Sequence, residues 1–423
     1  MFLGLIPAVS LAAVLVVFLA VAPAGAQEPP ARPCPPGGEV VLGMSAAFTG
    51  PTRGLGIEYW RGVMAWLSRV NATGGVNGRT VRVIPMDDGY QPQPCIRNTI
   101  ELVEQDQVFG LFCYVGTPTT TRMLPLLKKF EDRSLYLLFP FTGAEPLRAP
   151  PYGRYVYNLR ASYFDETMGL VDHLMSIGRS RIAVFYQADA YGRNGWDGVN
   201  RALRIYGQPM CADAAYRRGM GYDADFSAEV RLLADSRPDA VITIGSYAAC
   251  AAFIRDARDH GLDAPIASVS FSDADNILNL LVAEGHRTGR DYTRGFINSQ
   301  VVPSYEDMDL AGVRLYRECM DEFTAMPPAE LMRESYTPHR YSFVSFEGFL
   351  NARVLVEMLR AMGDDVRPGR IPEALERLGD LDLGIGVPAR FGPDRHQGLS
   401  QVYYTTVRDG RFAPLRDWSE WRP

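Results

Sequence analysis

Short apolar runs alternate with longer stretches of helical spacing from residue 39 almost to residue 300. The runs, rich in apolar and β-branched residues, lie at 40–44, 81–86, 108–113, 135–140, 181–186, 240–245 and 265–269. The helical stretches between them include 56–70, 97–105, 119–130, 165–177, 196–205, 227–234 and 249–260. Near-continuous apolar strands that alternate with helices are typical of parallel sheets covered on both faces. The sequence therefore predicts an α/β fold with Rossmann-like parallel sheets flanked by helices.

The alternation is too long for one compact sheet, and two breaks divide it into two lobes. A Pro-rich break falls at 150–160, and a second break falls at 291–303. We predict that residues 39–155 form the first lobe, 156–295 form the second lobe, and 296–380 return to the first. A helix at 341–362 has an apolar stripe that indicates core packing. Residues 381–423, with short antiparallel strands at 387–391, 401–407 and 411–415, are predicted to return to the second lobe.

Residues 1–26 predict a signal peptide. Residues 2–26 carry no charge, the segment 11–22 is strongly apolar, and Ala-Gly-Ala at 24–26 provides a cleavage site. No Lys or Arg precedes the apolar core, and its length is close to a membrane span, so an uncleaved anchor is the alternative. The Pro-rich residues 27–38 are predicted to be a flexible lead-in. With no second apolar run of about 18 residues, the remainder is expected to be a soluble, exported protein.

Composition and motifs exclude several classes of function. A net charge of -6 and a pI near 5.5 argue against a nucleic-acid partner, which needs a clustered surplus of Lys and Arg. The sequence contains no H-E-x-x-H, G-x-S-x-G, P-loop or C-x-x-C motif, and its five histidines are scattered. We therefore predict no enzyme activity, no metal and no cofactor. An exported α/β hydrolase is the enzymatic alternative, but the sequence offers no nucleophile–base pair for it.

The six cysteines all follow the predicted signal peptide, and an even number in an exported chain permits disulfides. Cys95 begins a helical stretch and Cys113 ends the next strand, so a βα unit brings them near one another. Cys211 and Cys250 have a similar relation. These positions favour the bridges Cys95–Cys113 and Cys211–Cys250, with buried free thiols as the alternative. The sequence does not assign Cys34 or Cys319.

Gly- and Thr-rich loops follow several of the predicted strands. Parallel α/β sheets bind ligands beyond the carboxyl ends of their strands. Glycine lets the backbone approach a ligand, threonine supplies a hydroxyl, and the helix that follows favours an anion. Ordinary helix capping by the same residue types is the alternative. These loops lie at 47–56, 114–120, 141–144, 187–195, 245–247 and 271–273. Together they predict a site for a small carboxylate-bearing molecule.

The chain resembles the solute-binding proteins of the branched-chain amino-acid (Leu/Ile/Val) type that serve ABC importers. The resemblance covers nearly all of the predicted mature chain. It rests on Val41-Leu-Gly-Met-Ser with Thr49-Gly-Pro, Asn71-Ala-Thr-Gly-Gly-Val-Asn-Gly, Met86-Asp-Asp-Gly-Tyr, Ile182-Ala-Val-Phe-Tyr-Gln-Ala-Asp-Ala-Tyr-Gly and Tyr341–Leu355. It implies a type I periplasmic binding-protein fold, with two lobes joined by three crossovers that close on a ligand. It also implies a monomer with a membrane ABC permease as partner; a sensor domain that signals to a membrane partner is the alternative.

The resemblance also implies a set of ligand-binding residues. Loops that hold a ligand carboxylate match Val115–Thr117 and Phe141–Gly143, a closing tyrosine matches Tyr191, and an acid that meets the ammonium falls near Ser272–Asp273. An aromatic residue of the family aligns with Leu55, so stacking at that position is lost, and an amino acid, amide or organic acid all remain as ligands. The family's helix–strand disulfide matches Cys95 and Cys113 approximately. The implied ligand set is Leu55, Val115, Gly116, Thr117, Phe141, Thr142, Gly143, Tyr191, Ser246, Tyr247, Ser272 and Asp273.

Overall fold

A computed structural model describes residues 1–2, 34–35 and 37–422 of the chain. The predicted signal peptide and most of the predicted lead-in therefore lie outside the described residues. Among the helices that are described, none is long and apolar enough to cross a membrane.

The first sheet consists of five parallel strands with helices in between. Its strands are β1 (Glu39–Ala46), β2 (Thr80–Asp87), β3 (Gly110–Phe112), β4 (Leu137–Leu138) and β5 (Val156–Tyr157). They lie in the spatial order β2-β1-β3-β4-β5. The helices that follow β1, β2 and β3 are α1 (Arg53–Ala72), α2 (Pro92–Glu104) and α3 (Thr117–Lys129). Strands β3, β4 and β5 are buried along their whole length, as apolar strands between two helical layers should be.

The second sheet repeats this plan. Its helices are α4 (Tyr163–Ser176), α5 (Ala190–Ile205), α6 (Ser227–Asp235), α7 (Tyr247–Asp259) and α8 (Ala274–Thr288). Its parallel strands are β6 (Ile182–Gln187), β7 (Ala212–Tyr216), β8 (Ala240–Ile244), β9 (Ile266–Ser268) and β10 (Phe296–Gln300). They lie in the order β10-β9-β8-β6-β7, so the carboxyl ends of all five strands meet at one edge.

The remaining elements are shared between the lobes. They are α9 (Ala311–Glu322), α10 (Phe343–Met362), α11 (Ile371–Arg377), β11 (Leu381–Asp382), β12 (Pro388–Ala389), β13 (Tyr403–Arg408) and β14 (Arg411–Pro414). Helices α9 and α10 pack on α1 of the first lobe, whereas β13 and β14 extend the second sheet as antiparallel strands beside β10. Asp409 and Gly410, with φ angles of 51° and 71°, form the tight turn that joins β13 to β14.

The two-lobed α/β fold predicted from the sequence is confirmed, but the chain changes lobes later than predicted. Strand β5 still belongs to the first sheet and β10 still belongs to the second. The crossovers accordingly fall at 158–162 and 301–310, a few residues after the predicted boundaries at 155 and 295. The third crossover also comes late, because Gly384 still accepts a backbone hydrogen bond from Gly312 of α9 at 2.8 Å. At each crossover, the chain leaves a lobe only after the last strand or loop that is hydrogen-bonded to that lobe.

The first and third crossovers run side by side. The Asn158 N–H donates to the His396 carbonyl at 2.7 Å, and the Gly398 N–H donates to the Asn158 carbonyl at 2.8 Å. One more bond joins the Leu399 N–H to the Leu159 carbonyl at 2.8 Å. These bonds hold the two connecting segments side by side between the lobes. We call residues 158–162 and 396–399 the hinge region.

All six cysteines lie in described residues and carry free thiols, so both predicted disulfides are wrong. The Cys95 thiol faces Asp88 and Thr99, whereas the Cys113 thiol faces Tyr59 and Asn351 on the helices α1 and α10. The two thiols therefore contact different parts of the first lobe.

The second predicted bridge is wrong for a different geometric reason. Cys211 precedes β7, at the amino edge of the second sheet, where its thiol lies 3.6 Å from Ser236 Oγ. Cys250 lies in the first turn of α7, beyond the carboxyl end of β8. Because these strands are parallel, the two thiols stand at opposite edges of the sheet.

We predict that alkylation under denaturing, non-reducing conditions labels all six thiols, as counted by intact mass. In the folded protein only the half-buried Cys34 and Cys211 should react rapidly, because burial raises the pKa of Cys250 to about 12 and that of Cys95 well above its usual range. A denatured protein that takes up only four labels would contradict the absence of a bridge.

Candidate functional site

The loops after β3 and β4 are joined to each other in the first lobe. Val115 and Phe141 form a parallel bridge, and the Gly116 N–H donates to the Phe141 carbonyl at 3.3 Å. Gly116 has a φ of 115°, and a Cβ atom there would lie 2.7 Å from the ring of Tyr90, so this position needs glycine. Helix α3 begins at the next residue, Thr117. The structure thus brings the predicted residues of these two loops together.

Three hydroxyl groups connect these loops to the second lobe. Thr117 Oγ1 lies 2.7 Å from Thr142 Oγ1 and 3.0 Å from Tyr163 Oη, which comes from the first residue of α4. The Tyr163 ring packs directly on Gly143, where a Cβ would lie 2.5 Å from it. Burial raises the pKa of Tyr163 to about 12, so the phenol stays neutral and able to donate. The group is a buried polar contact across the two lobes.

A cluster of five aromatic rings lies beside these hydroxyls, with Phe271 at its centre. The Phe271 ring centroid is 4.7 Å from that of Tyr191, 5.2 Å from Phe141, and 6.3 Å from both Tyr90 and Tyr163. Tyr90 and Phe141 belong to the first lobe, whereas the other three rings belong to the second. Such ring pairs stabilise by about 0.5–1.5 kcal/mol each beyond burial of their area. We call these five residues the ring cluster.

Tyr191, the predicted closing tyrosine, is fully buried in the ring cluster. Asp189 caps the amino end of α5 and accepts from the Tyr191 N–H at 2.9 Å, which fixes the backbone there. The Tyr191 hydroxyl lies 3.2 Å from Ser272 Oγ, so the structure brings the predicted residues Tyr191 and Ser272 together.

Asp273, predicted to meet a ligand ammonium, is occupied by its own helix. It caps α8 from a left-handed conformation with a φ of 62° and accepts from the backbone N–H and the side chain of Asn276, at 3.3 and 2.6 Å. Burial raises its pKa to about 7. The Asp273 carboxyl group therefore already has hydrogen-bond partners in its own helix, and it also lies near His339 of the segment that precedes α10.

Three other predicted residues lie outside the ring cluster. Leu55 is fully buried in the first turn of α1, in the apolar core of the first lobe. The Ser246 N–H donates to Tyr216 Oη at 2.9 Å, a contact within the second lobe. Tyr247 lies between the lobes near Gly54, and burial raises its pKa to about 12. The structure therefore places Tyr247 at the flank of the cleft and Leu55 behind it.

Sequence reasoning missed Tyr90, Tyr163 and Phe271 as members of the site. Phe271 directly precedes the predicted pair Ser272 and Asp273, and Tyr90 ends a motif that carries the family resemblance, so a signal existed for both. Tyr163 stands at the start of a predicted helix, where no local pattern distinguishes it from an ordinary core residue.

Arg160 in the first crossover is buried behind the ring cluster. Its guanidinium lies over the Phe141 ring at 4.7 Å and forms ion pairs with Glu166 at 3.5 Å and Glu347 at 3.6 Å. It also donates to Ser270 Oγ. Glu166 belongs to α4 of the second lobe and Glu347 to α10 of the first. Arg160 therefore holds both lobes and the loop that carries Phe271.

A polar contact joins the two lobes near the loop after β7. Arg218 of the second lobe donates to Gln91 of the first at 3.2 Å and lies 3.6 Å from Asp189. A cavity of about 450 Å³ opens beside this contact, lined by Gln91, Ala188, Asp189, Ala215, Tyr216, Arg217 and Arg218. Gln91 is the contribution of the first lobe to this cavity, and the other lining residues come from the second lobe.

The segment 324–342, between α9 and α10, covers one flank of the cleft. Glu334 accepts from the Gly50 N–H at 2.7 Å, and Tyr336 donates to Glu58 at 3.2 Å, both in the first lobe. Asn276 of the second lobe donates to the Tyr336 hydroxyl at 3.2 Å.

The part of the chain that the structure describes has no cluster of His, Cys, Asp and Glu able to hold a metal ion.

Residues 39–411 match the family model of the periplasmic binding proteins. The chain belongs to this family.

Relatives with known names agree with this assignment. An amino acid binding protein of Pseudomonas aeruginosa is 25% identical over 237 residues, which cover 54% of this chain and 60% of that protein. Leu/Ile/Val-binding protein homolog 7 of Brucella melitensis is 24% identical over 399 residues, which cover 90% of this chain and 92% of that protein. A possible leucine/isoleucine/valine-binding protein from Rhodopirellula baltica has a crystal structure with a TM-score of 0.78 and 31% identity, covering 91% of this chain and 98% of that one. The first of these relatives is thus matched over less than two thirds of its length.

Protonation of Asp273 makes a testable contribution to stability. Its folded pKa of about 7 exceeds the usual carboxyl value of about 4, so between these pH values the folded state binds more protons than the unfolded state. The free energy of unfolding therefore falls as pH rises through this window. Asp273→Asn, which keeps a residue suited to the cap and to positive φ, should reduce that fall by up to about 1.4 kcal/mol per pH unit.

Urea unfolding at about pH 5.5 and about pH 7 measures this effect. Asp394→Asn at an exposed turn is the matched control and should keep the pH slope of the original protein. Equal slopes for Asp273→Asn and the original protein would show that Asp273 ionises normally in the folded state.

Proposed function

We propose that this protein is exported, binds a small carboxylate-bearing solute between its two lobes, and delivers it to an ABC importer in the membrane. The observation that carries the proposal is that both lobes contribute to the ring cluster and to the adjacent hydroxyls of Thr117, Thr142 and Tyr163. These groups come from loops at the carboxyl ends of both sheets, where α/β proteins bind ligands. The names of the relatives, which include an amino acid binding protein, support the same function.

The loops after β3 and β4 supply donors suited to a carboxylate. The backbone N–H of Thr117, at the start of α3, donates to none of the described residues, whereas the Gly143 N–H lies against the Tyr163 hydroxyl. Thr117 and Thr142 add two hydroxyls, and the buried hydroxyl of Thr120 in the same helical turn has no partner within the described ranges. Hydrogen bonds from neutral donors to a carboxylate contribute more than bonds between neutral groups, and they need no buried cation.

We also propose that the protein performs no chemistry on the solute. None of the five histidines contacts the ring cluster. His173 stacks on Trp418 and His396 on Tyr157, while the His260 ring nitrogen lies 2.9 Å from the Asp256 carbonyl. The hydroxyls of Thr117 and Ser272 are paired with tyrosines instead of a base. The arrangement suits binding by hydrogen bonds and lobe closure.

A thermal-shift screen against amino acids, amides, and aromatic and aliphatic acids tests the proposed function. At about 100 times its dissociation constant, a true ligand should stabilise the folded protein by about 2.7 kcal/mol. The radius of gyration, measured by small-angle X-ray scattering, should decrease with the same ligand if the lobes close on it. Loss of cellular uptake of that ligand on deletion of the gene would support delivery to an importer. A screen in which no small solute stabilises the protein would contradict solute binding.

Thr117→Val should weaken ligand binding at least about tenfold, since it removes a hydroxyl at the carboxylate end while keeping the shape of the side chain. Thr121→Val is the matched control, because Thr121 lies one turn further along α3 and bonds only to the Thr117 carbonyl. Calorimetric titration of both variants measures the difference. Equal dissociation constants for the two would remove Thr117 from the site.

A further inference from the structure

The ring of Phe271 fills the space between the two lobes at the ring cluster. It is 1% exposed, and none of its four neighbours in the cluster is more than 4% exposed. On one side it packs against Phe141 and Tyr90 of the first lobe, and on the other side against Tyr191 and Tyr163 of the second. A single side chain of the protein therefore contacts both lobes where the cleft closes.

The backbone that carries Phe271 is anchored in the second lobe. Phe271 is the middle residue of a short 3-10 turn at 270–272. The N–H and the hydroxyl of Ser270 donate to the Glu166 carboxylate at 2.7 and 2.9 Å. On the other side of the turn, Asp273 caps α8. Because the chain is fixed on both sides of Phe271, its ring has a defined direction toward the first lobe.

The facing rings of the first lobe are held in place as well. Tyr90 has a left-handed φ of 61°, which persists in a bulky residue only where the surrounding structure holds it. Its N–H donates to Asp88 Oδ1 at 2.8 Å. The Phe141 ring packs on that of Tyr59 with a centroid distance of 4.8 Å. Each group of rings is thus fixed within its own lobe, so the contacts of Phe271 act between the lobes.

Opening of the lobes would break these contacts. It would separate the Phe271 ring from the rings of Phe141 and Tyr90 and expose part of it to water. Loss of ring pairs and exposure of buried apolar surface both oppose that movement. The contacts belong to the protein itself, so they oppose opening whether or not a solute is bound.

We propose that Phe271 is a built-in occupant of the cleft. Its ring favours closure of the lobes before a solute binds, and it limits the site to solutes whose own contacts with both lobes replace those of the ring. This inference rests on the proposed function, because it concerns closure of the same cleft. It makes Phe271 a residue that determines specificity, whichever solute is bound.

Small-angle X-ray scattering of the purified, solute-free protein tests the proposal. Phe271→Ala should raise the radius of gyration above that of the original protein, because it removes both ring contacts across the cleft. Phe253→Ala is the matched control: this ring is also fully buried, but it stacks on Phe185 within the second lobe at 4.1 Å. Both variants should lose thermal stability, since each loses a buried ring, but only Phe271→Ala should change the radius. An unchanged radius for Phe271→Ala would overturn the proposal.

Toluene provides a second measurement on the same variant. Removal of the Phe271 ring leaves a space of its size between aromatic side chains, and dry apolar cavities of this kind bind small aromatic molecules. Saturating toluene should therefore bring the radius of Phe271→Ala back toward that of the original protein. The original protein, whose own ring fills the space, should not respond. A larger radius that toluene leaves unchanged, or an equal response of the original protein, would refute the role of the ring.

A milder variant serves if Phe271→Ala does not fold. Phe271→Leu keeps an apolar side chain but loses the ring pairs, so its radius of gyration should also rise, by a smaller amount. A folded Phe271→Leu with the radius of the original protein would contradict the proposal. None of these measurements uses the solute, so their failure would leave the proposed solute binding intact, whereas only the screen of solutes tests that function.

Discussion

Arg160 is the residue on which both lobes converge. It lies in the first crossover, and its guanidinium meets Glu166 of the second lobe, Glu347 of the first lobe and the ring of Phe141. A buried cation is stable only when its charge is balanced and its donors are used. The two acids supply that balance from opposite lobes, although burial still raises the pKa of Glu347 to about 7. The hinge is therefore an electrostatic joint, and removal of Arg160 would leave two buried acids without their cation.

This joint also orders the binding loops. Glu166 accepts from the Ser270 N–H at 2.7 Å and from the Ser299 hydroxyl at 2.6 Å, and Arg160 donates to the Ser270 side chain. Ser270 precedes Phe271, so the position of the central ring follows from the hinge. The arrangement of the two lobes and the position of the ring cluster are thus linked through one buried network. Arg160 Nη1 and Glu347 Oε1 lie 3.6 Å apart and form no hydrogen bond, so this part of the network is held by ion pairing.

The sequence predicted parallel sheets flanked by helices, because apolar strands buried on both faces leave a strong local pattern. The resemblance implied Thr117, Thr142 and Tyr191 as ligand-binding residues, and the structure brings all three against Tyr163. The sequence could not predict Tyr163 or Arg160, whose roles arise only when a crossover brings both lobes together. The disulfides failed for a similar reason: the spacing of Cys211 and Cys250 does not reveal that they stand at opposite edges of a sheet.

The contacts of Phe271 set a condition on any solute. Its ring already packs against residues of both lobes, so the closed arrangement is partly stabilised by the protein's own side chain. A ligand can favour closure only through interactions that the open form lacks. Any solute that enters between the lobes here has to replace the ring contacts that Phe271 makes with Tyr90 and Phe141, so its own contacts with both lobes must stabilise the closed arrangement by more than those it displaces.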